Sequence, residues 1–492
     1  MPKKNFPHIA IAITLILSAC APNAQGRSFA ALADQNQNVP ATFTGPTPLP
    51  TRPNYKPGEL IDYIAQSGDN LPALAARFNT TVPEILAANP FIPADATTMP
   101  PGMPMKIPVY YLPLWASPFQ ILPDNAFVNG PTLIGFDTSA FVAQYDGWLS
   151  NFRAYAGGQW RTGAGLIDYV ATNYSLSPRL LLAVLEYQTG ALTDPEKPAS
   201  TYLLGYERVY YTSFYLQLVW AANTLNNGYY GWRIGDLTSF DLPDGSQFRP
   251  DPGENAASVG IQYYYSRIYS GQDFATAIGP LGLARTYTAL FADPWSDETV
   301  IIPGSLRQPE FPLPFPAGQA WTYTGGPHTG WGTGEPFTAV DFAPPADVSG
   351  CFVADDKNYA TAMADGLIVR SELGTVVLDL DKDGNERTGW VIFYLHLATR
   401  ERVPLGLEVS RGDFVGYPSC EGGRVTGTHV HVARKYNGEW ILASGPLAFV
   451  MEGWTVERGT EVYLGRLVKG ALTVTACTCS DLYSRIVSGL NP

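Results

Sequence analysis

The first folded segment that the apolar pattern indicates is short and contains two helices. Between residues 58 and 110, apolar positions recur at helical spacing in residues 74–78 and again in residues 82–88. A turn-like Ser-Gly-Asp-Asn sequence precedes the first helix, and residues 101–108 have the pattern of a short strand. The pattern therefore predicts a strand, two helices and a second strand.

Apolar residues at helical spacing then continue through residues 126–295. They are clearest in residues 166–171 and 180–185. Ser177-Pro178 is a typical helix start, because proline is favoured at the first helical position. This stretch predicts a helical middle domain.

In residues 319–470 the pattern becomes that of strands. Residues 427–433 alternate between polar and apolar side chains, and residues 390–397 form an apolar run that contains one histidine. We therefore expect an antiparallel all-β domain in this part of the chain. The predicted fold class is multidomain α+β.

The segments between these domains have the composition of linkers. Residues 21–57 are rich in Pro, Asn, Thr and Ala, and residues 296–318 are rich in proline. Neither segment has sustained periodicity, so we expect two linkers. We expect residues 471–492 to form a C-terminal tail.

Residues 1–20 have the pattern of an export signal. Two lysines precede the apolar residues 9–17, a run too short to span a bilayer, and small residues precede Cys20. The last four residues resemble a lipobox, the bacterial lipoprotein signal. That resemblance implies that Cys20 is lipidated and anchors an extracytoplasmic protein to a bacterial membrane, in the cell envelope. A plain secretory signal is the alternative.

Composition and charge narrow the class of partner. The 492-residue chain is 46% hydrophobic and has a net charge of -13. A nucleic-acid partner is excluded on this ground, because binding phosphates requires a basic surface. The length suits about three domains.

Export also changes the interpretation of the remaining cysteines. Cys351, Cys420, Cys477 and Cys479 are an even set, and disulfides are the expected state in an oxidising compartment. We expect Cys351 to pair with Cys420, although the sequence leaves all three pairings open. A zinc site at Cys477 and Cys479 is the alternative.

Four of the five histidines lie within residues 328–431. His429 and His431 stand two positions apart in the alternating segment, so both imidazoles project from one face of the predicted strand. His396 lies inside the apolar run. Asp341 lies between small and apolar residues, where a carboxylate needs a partner or a metal. Zinc held by two histidines and one carboxylate keeps a position open for catalysis.

An acidic run precedes the second predicted strand. Alternate aspartates from Asp379 to Asp383 are followed by Gly384, as at the start of a calcium loop. The twelfth position is Trp390, whereas such loops use a glutamate there. We therefore predict a hairpin turn, for which Asp-Gly is a favoured pair.

Residues 58–110 resemble a lysin motif (LysM). The resemblance is carried by the opening residues 63–69, the central residues 78–81 and a closing Asn-Pro pair. It implies binding of glycans such as those of peptidoglycan, although Pro72 and the long segment 91–100 depart from the usual pattern. The residues implied in glycan binding are Gly68, Asp69, Asn70, Leu71, Asn89 and Pro90.

The middle domain resembles the lysozyme-like lytic transglycosylases over residues 176–190. The corresponding helix of that family ends in Glu-Ser-Gly, whereas Gln188 stands in the place of the glutamate here. Glycosidic cleavage needs a carboxylic acid to protonate the leaving oxygen. We therefore expect this domain to be non-catalytic, with Glu186 as the acid only if the alignment shifts. An unrelated helical bundle is the alternative.

Residues 321–468 resemble the lysostaphin-type (LytM-like) peptidoglycan endopeptidases. The shared marks are an early histidine and aspartate, a histidine at the end of a strand and a His-x-His pair. The resemblance implies a zinc ion held by His328, Asp341 and His431. It also implies that His396 and His429 steer the attacking water and stabilise the oxyanion.

One spacing departs from that family. Twelve residues separate His328 from Asp341, more than the few that are usual. We expect them to form a loop inserted between two strands that keep the ligands in place. Glu335 is the alternative carboxylate.

These observations lead to one functional hypothesis and two alternatives. We expect a membrane-anchored, peptidoglycan-binding zinc metalloendopeptidase that hydrolyses peptide bonds in stem peptides or cross-bridges. The first alternative is a catalytically silent lipoprotein that binds peptidoglycan and regulates other wall hydrolases. The second is a glycan-cleaving enzyme acting through the middle domain, against which Gln188 argues.

Overall fold

The first ordered element is a strand whose inward residues Ile61 and Tyr63 are buried. This strand is β1 (Glu59–Ile64). The computed structural model describes residues 49, 51–110, 116–479 and 481–489. β1 pairs antiparallel with β2 (Pro104–Val109), and α1 (Leu71–Arg77) and α2 (Val82–Ala88) lie between them in the chain. The predicted order of strand, helix, helix and strand is confirmed.

Local capping explains where these two helices begin. The Asn70 side chain accepts a hydrogen bond from the Ala73 N–H at the start of α1. Thr81 and Glu84 form a capping box at the start of α2, each side chain bonding the other's backbone N–H. The predicted signal peptide, Cys20 and residues 21–48 lie outside the described residues.

Helices dominate the described chain between residues 124 and 291. Ser177 caps the helix that begins at Pro178, as the sequence predicts. Two short hairpins interrupt the helices, and 3-10 turns lie at Pro131–Leu133 and Pro294–Ser296. The elements are α3 (Asp124–Phe127), α4 (Thr138–Val142), α5 (Trp148–Asn151), β3 (Arg153–Ala156), β4 (Gln159–Thr162), α6 (Gly163–Tyr174), α7 (Pro178–Thr189), α8 (Phe214–Ile234), β5 (Phe240–Asp241), β6 (Gln247–Phe248), α9 (Ala256–Tyr265), α10 (Gly271–Ile278) and α11 (Leu283–Phe291).

Strands dominate the described chain from residue 320 onward. The strands are β7 (Ala320–Thr329), β8 (Phe337–Ala343), β9 (Ala360–Thr361), β10 (Gly366–Glu372), β11 (Thr375–Asp379), β12 (Trp390–Leu395), β13 (Glu408–Val409), β14 (Phe414–Gly416), β15 (Val430–Tyr436), β16 (Glu439–Ile441), β17 (Val450–Met451), β18 (Trp454–Arg458), β19 (Gly465–Lys469), β20 (Leu472–Thr475) and β21 (Arg485–Val487). Each of these strands pairs antiparallel, as predicted for this domain.

The main sheet has the order β13-β10-β11-β12-β15-β8-β7-β21, and β16 adds to β15. A smaller sheet has the order β17-β18-β19-β20. Residues 471–492, which the sequence predicts to be a tail, contribute β20 and β21. Ile486 of β21 is buried at the edge of the main sheet, so the described residues of this segment are part of the fold.

The main sheet is covered on both faces, which explains why β12 is apolar throughout. Ile392 and Tyr394 face a core shared with other strands, whereas Val391 and Phe393 belong to the core of the helical region. Strands buried on both faces have continuous apolar runs and do not alternate. Residues 49–492 accordingly form one compact unit.

Residues 296–318 differ from the linker that their proline content suggests. Ile301, Leu306, Phe311, Leu313 and Phe315 are all buried. The prolines break the periodicity of the segment, but the apolar residues between them pack on the sheets. Among the described residues, no helix has the length and apolar character that crossing a membrane requires.

Candidate metal centre

Three neighbouring strands bring two histidines and an aspartate together. Asp341 of β8 lies directly opposite His431 of β15, and facing residues in paired strands project from the same side of a sheet. His328 lies in β7, on the other side of β8, where shifts of register interrupt the pairing. The loop between β7 and β8 holds most of the residues that separate His328 from Asp341 in the sequence.

The three side chains are buried and close together. His328 Nε2 lies 3.2 Å from Asp341 Oδ1, and His431 Nδ1 lies 3.4 Å from the same oxygen. The two imidazole nitrogens are 3.0 Å apart. One ligand atom from each residue lies within 4.8 Å of the others, a spacing that suits one metal ion.

Backbone carbonyls determine which nitrogen of each imidazole carries hydrogen. His328 Nδ1 lies 2.8 Å from the Gly326 carbonyl oxygen, and His431 Nε2 lies 3.1 Å from that of Gly330. Because a carbonyl only accepts hydrogen bonds, these nitrogens are the donors. The opposite nitrogens therefore direct lone pairs at Asp341 and at each other, an arrangement typical of metal-binding histidines.

Asp341 shows that this arrangement suits a cation. Its buried Oδ1 has no hydrogen-bond partner, although two imidazole nitrogens face it. A buried carboxylate oxygen between two lone pairs is stabilised by a positive charge. The donor set of two histidines and one carboxylate fits zinc.

A second histidine pair lies beside this group. His396 directly follows β12, and its Nδ1 donates to the Glu421 carbonyl oxygen at 2.8 Å. His429 Nδ1 donates to the Gly427 carbonyl oxygen at 2.8 Å, and its Nε2 lies 3.7 Å from Asp341 Oδ1. The two rings have centroids 4.7 Å apart.

The environment of His396 keeps its imidazole neutral. Burial, together with the nearby His429 and His431, lowers its pKa to about 3. Since Nδ1 is the donor, the lone pair of the neutral ring is on Nε2. The structure thus brings all five predicted residues of the peptidase site together.

The alternative carboxylate, Glu335, lies elsewhere. It accepts a hydrogen bond from the Phe337 N–H at 2.9 Å, and Arg458 lies 3.6 Å from its other oxygen. Burial raises the pKa of Glu335 to about 7. It is not in the candidate metal group.

Three features of this site were missed by the sequence analysis. Gly325 lies opposite Asp341, and a Cβ atom at this position would overlap the carboxylate. Tyr463, in the turn between β18 and β19, stacks on His328. Asn223 and Asn227 of α8 bind the β7–β8 loop. The tyrosine lies in a turn and the asparagines lie on a helix, far from the histidines in the sequence. No local pattern could have indicated that folding brings them to this site.

Disulfides lie near the site. Cys351 is bonded to Cys420, which precedes Glu421, the residue that holds His396. Cys477 is bonded to Cys479. A zinc site at these two cysteines would require both sulfurs as free thiolates, with Asp481 as a third possible ligand, and that alternative stays a prediction.

Most of the predicted glycan-binding residues face inward. Asp69 is buried and forms an ion pair of 2.9 Å with Arg77, and the buried Asn89 amide bonds the backbone of Ile85 and Lys106. Asn70 donates to the Arg233 carbonyl oxygen at 3.0 Å. Gly68 and Leu71 are also buried, and Pro90 is exposed. Polar residues that satisfy one another inside the fold have structural roles.

In the middle region, Gln188, which stands in the place of the family's catalytic glutamate, and Glu186, the alternative acid, both form internal hydrogen bonds. The Gln188 side chain accepts from the Tyr264 hydroxyl, and the buried Glu186 accepts from Leu192 and Thr193. Glu186 therefore already has partners for both oxygens. The resemblance of this region to lysozyme-like enzymes stays a prediction.

Two family models match the chain. The model described as the LysM domain matches residues 63–108, and the model described as the N-terminal domain of LasA matches residues 120–304. The chain is 25% identical over 351 residues to the protease LasA of two Pseudomonas aeruginosa strains, which covers 66% of this chain and 75% of LasA.

Solved structures with similarity include a deep-sea M23 metalloprotease, pseudoalterin, at 22% identity and a TM-score of 0.29. The match covers 34% of this chain and 96% of pseudoalterin. The catalytic domain of lysostaphin from Staphylococcus simulans matches at 23% identity and a TM-score of 0.18, covering 25% of this chain and 87% of that domain. The sequence matches confirm the predicted resemblance to a LytM-like peptidase that carries a lysin motif.

Proposed function

We propose that this chain is a zinc metalloendopeptidase of the bacterial cell envelope that binds peptidoglycan and hydrolyses peptide bonds in its stem peptides or cross-bridges. One observation carries the proposal. Asp341 Oδ1 is buried between the lone pairs of His328 and His431 and has no hydrogen-bond donor. The similarity to the protease LasA supports the same chemistry.

In this proposal His328, Asp341 and His431 hold zinc, while His396 and His429 act on the substrate. Bound zinc supplies a Lewis acid that polarises the scissile carbonyl and the attacking water. His396 is neutral, and its Nε2 lone pair accepts a hydrogen bond from that water and orients it for attack. His429 lies beside His396 and stabilises the oxyanion.

The lysin motif positions this site on the cell wall. Its family match supports peptidoglycan as the partner, with the glycan strand bound by the motif and the peptide bound at the metal centre. Because most of the predicted glycan-binding side chains face inward, we assign contact with glycan to exposed positions such as Pro90 and Phe91.

Lipidation of Cys20 would make the protein a membrane-anchored lipoprotein. The support for this part is the sequence of residues 1–20 alone. Replacement of Cys20 by Ser should release the protein from the membrane fraction of the producing cell. Retention of that variant in the membrane would show that another segment anchors the chain.

The test of the enzyme combines zinc content with cleavage of purified peptidoglycan. We expect about one zinc per purified full-length chain and release of stem peptides. His431→Ala and Asp341→Ala should lose both the zinc and the cleavage, whereas Asp356→Ala, an exposed residue paired with Arg400, should retain both. Chelation should abolish cleavage, and added zinc should restore it.

The outcomes separate the enzyme from its alternative. A chain that binds zinc and peptidoglycan, cleaves no stem peptide and accelerates another wall hydrolase would be a regulatory lipoprotein. Cleavage that persists in Asp341→Ala without bound zinc would contradict the assigned metal centre.

A further inference from the structure

A second cluster of possible metal ligands lies in the turn between β11 and β12. Asp379 ends β11, and Asp381 and Asp383 follow at alternate positions. One carboxylate oxygen from each of the three lies within 4.8 Å of the others. Asp379 is buried, and the other two aspartates are exposed. Three negative charges at this separation repel one another strongly.

Asp379, the buried member of this cluster, has one carboxylate oxygen without a hydrogen-bond donor. Its side chain is 0% exposed, and its Oδ2 accepts a hydrogen bond from the Gly384 N–H at 3.0 Å. Its Oδ1 is buried and has no hydrogen-bond partner. Burial raises the pKa of Asp379 to about 6, and the Asp381 carboxyl, which lies within hydrogen-bonding reach of the protonated Asp379 side chain, raises it as well. A buried carboxylate oxygen without a donor is costly unless a cation binds it.

The basic residues of this turn are paired with other groups. Lys382 Nζ lies 2.9 Å from Glu408, and Arg387 donates to the Leu133 carbonyl oxygen at 2.8 Å. Among the described residues, none of the ion pairs within 4.0 Å involves Asp379, Asp381 or Asp383. The negative charge of the cluster is therefore not neutralised by the protein.

The backbone of the turn has the conformation that a calcium loop needs at its centre. Counting Asp379 as position one, Asp381 and Asp383 are positions three and five, and Gly384 is position six with φ of +85°. Calcium loops use carboxylates at positions one, three and five, a glycine at six and a backbone carbonyl at seven. Position seven is Asn385, whose carbonyl oxygen accepts a hydrogen bond from the Thr388 hydroxyl at 3.1 Å, while its second lone pair takes only a longer one from the Thr388 N–H at 3.4 Å.

We propose that Asp379, Asp381, Asp383 and the carbonyl oxygen of Asn385 form a calcium site, with water completing the coordination. Oxygen ligands of this kind suit a hard divalent cation. The site is separate from the histidine centre, whose nitrogen donors suit zinc.

The missing twelfth ligand limits the affinity. Trp390 occupies the position at which high-affinity loops supply two carboxylate oxygens. Glu386 is not a replacement, because Arg370 lies 2.9 Å and Lys435 3.5 Å from its carboxylate. We therefore expect a dissociation constant of about 10⁻⁴ to 10⁻³ M, the range of extracellular calcium modules.

Calcium at this site would stabilise the contact between the turn and the helical region. Arg370, which binds Glu386, also donates to Asn173 of α6 at 2.9 Å. Arg387 of the same turn binds the backbone of Leu133. A cation that fixes this turn therefore fixes two connections between the sheet and the helices.

The test measures calcium binding and thermal unfolding of the full-length chain. Metals are removed with a chelator, one equivalent of zinc is restored, and calcium chloride is titrated by calorimetry. Melting temperature is compared with and without calcium at constant ionic strength. The variants are Asp381→Asn/Asp383→Asn in the cluster, Asp347→Asn as an exposed aspartate outside it and His431→Ala in the other centre.

We expect one calcium per chain in the unaltered protein, with a rise in melting temperature. The double variant should bind calcium at least about tenfold more weakly. Without calcium it should melt at the same or a higher temperature, because charge repulsion is removed; a variant that fails to fold is thereby recognised. Asp347→Asn and His431→Ala should bind calcium normally.

Two results would overturn the proposal. One is no heat of binding and no rise in melting temperature up to about 10 mM calcium, well above the expected dissociation constant. The other is an equal rise in the double variant, which would show a general effect of the salt. Loss of calcium binding in His431→Ala alone would also reject it, since the cation would then occupy the histidine centre.

Discussion

Tyr463 stacks on His328, with ring centroids 4.3 Å apart and ring planes inclined by 24°. Tyr463 is half-exposed and lies in the turn between β18 and β19, whereas His328 is buried in β7. The smaller sheet therefore supplies one wall of the metal centre. A side chain in this position supports a proposed zinc ligand, and its exposed part can contact a substrate bound at the metal centre.

Two substitutions at Tyr463 separate these roles. Tyr463→Ala removes the ring that packs on His328, so we expect zinc affinity to fall about tenfold, as for other residues that support a ligand. Tyr463→Phe keeps the ring and should retain zinc, while kcat falls if the hydroxyl contacts the substrate. Zinc titration and steady-state kinetics measure the two effects. Tyr483→Ala, at an exposed tyrosine, is the control. Unchanged zinc affinity in Tyr463→Ala would contradict the supporting role of Tyr463.

The sequence predicts the metal centre better than its surroundings. The alternation of residues 427–433 and the isolation of Asp341 are local signals, because a strand fixes the direction of each side chain. The walls formed by Tyr463 and α8 depend on contacts between residues far apart in the chain. No periodicity of a single segment reports such contacts.

Residues 296–318 show a second limit. Proline content correctly indicates that this segment is neither helix nor strand for most of its length, but it does not indicate exposure. Phe311 and Leu313 each stand between a proline and another non-helical or polar position in the sequence, with no sustained apolar periodicity around them. Both are nevertheless buried against the sheets. The covering of the main sheet by helices, which explains the apolar run of β12, also becomes visible only in the folded chain.

Glu335 should make the stability of the protein depend on pH. Its pKa is raised from 4.5 to about 7 by burial, so the folded state holds the proton more tightly than the unfolded state. The stabilising effect of protonation is complete below pH 4.5 and is lost as the pH rises through about 7. Glu335→Gln should remove this loss, which we expect to be about 3 kcal/mol.

Chemical denaturation of both proteins between pH 4.5 and 8 measures the difference in the free energy of unfolding. Glu461→Gln, at an exposed carboxylate of the same region, is the matched control and should leave the curve unchanged. If the free energy of unfolding changes with pH in the same way in the unaltered protein and in Glu335→Gln, Glu335 does not titrate in this range.

Asn223 and Asn227 of α8 should control the loop between His328 and Asp341, the first two proposed metal ligands. Their side-chain oxygens accept hydrogen bonds of 2.7 Å from the backbone N–H groups of Thr333 and Glu335. The double variant Asn223→Ala/Asn227→Ala should reduce the free energy of unfolding by about 2 kcal/mol, at roughly 1 kcal/mol for each bond. A more mobile loop should raise KM with a smaller change in kcat.

Denaturation and steady-state kinetics test this coupling. Gln272→Ala, an exposed residue of α10 whose side chain bonds Thr276, serves as the control for removal of an amide from a helix. A loss of stability without any change in kcat or KM would show that the two asparagines stabilise the fold and do not affect substrate binding.

The bond between Cys351 and Cys420 should be the disulfide on which stability depends. It links residues separated by 69 positions. In the chain-entropy model, closing a loop of that length stabilises the folded state by about 4 kcal/mol. Cys351→Ser/Cys420→Ser should therefore lower the free energy of unfolding by about this amount. It should also lower activity, since Glu421, beside Cys420, holds His396.

The second disulfide supplies a control within the same chain. Cys477→Ser/Cys479→Ser opens a bond between residues only two positions apart, which restricts the unfolded chain far less. Denaturation curves and peptidoglycan cleavage for the two double variants distinguish the bonds. Equal losses of stability would mean that strain or packing, and not the length of the closed loop, determines what each disulfide contributes.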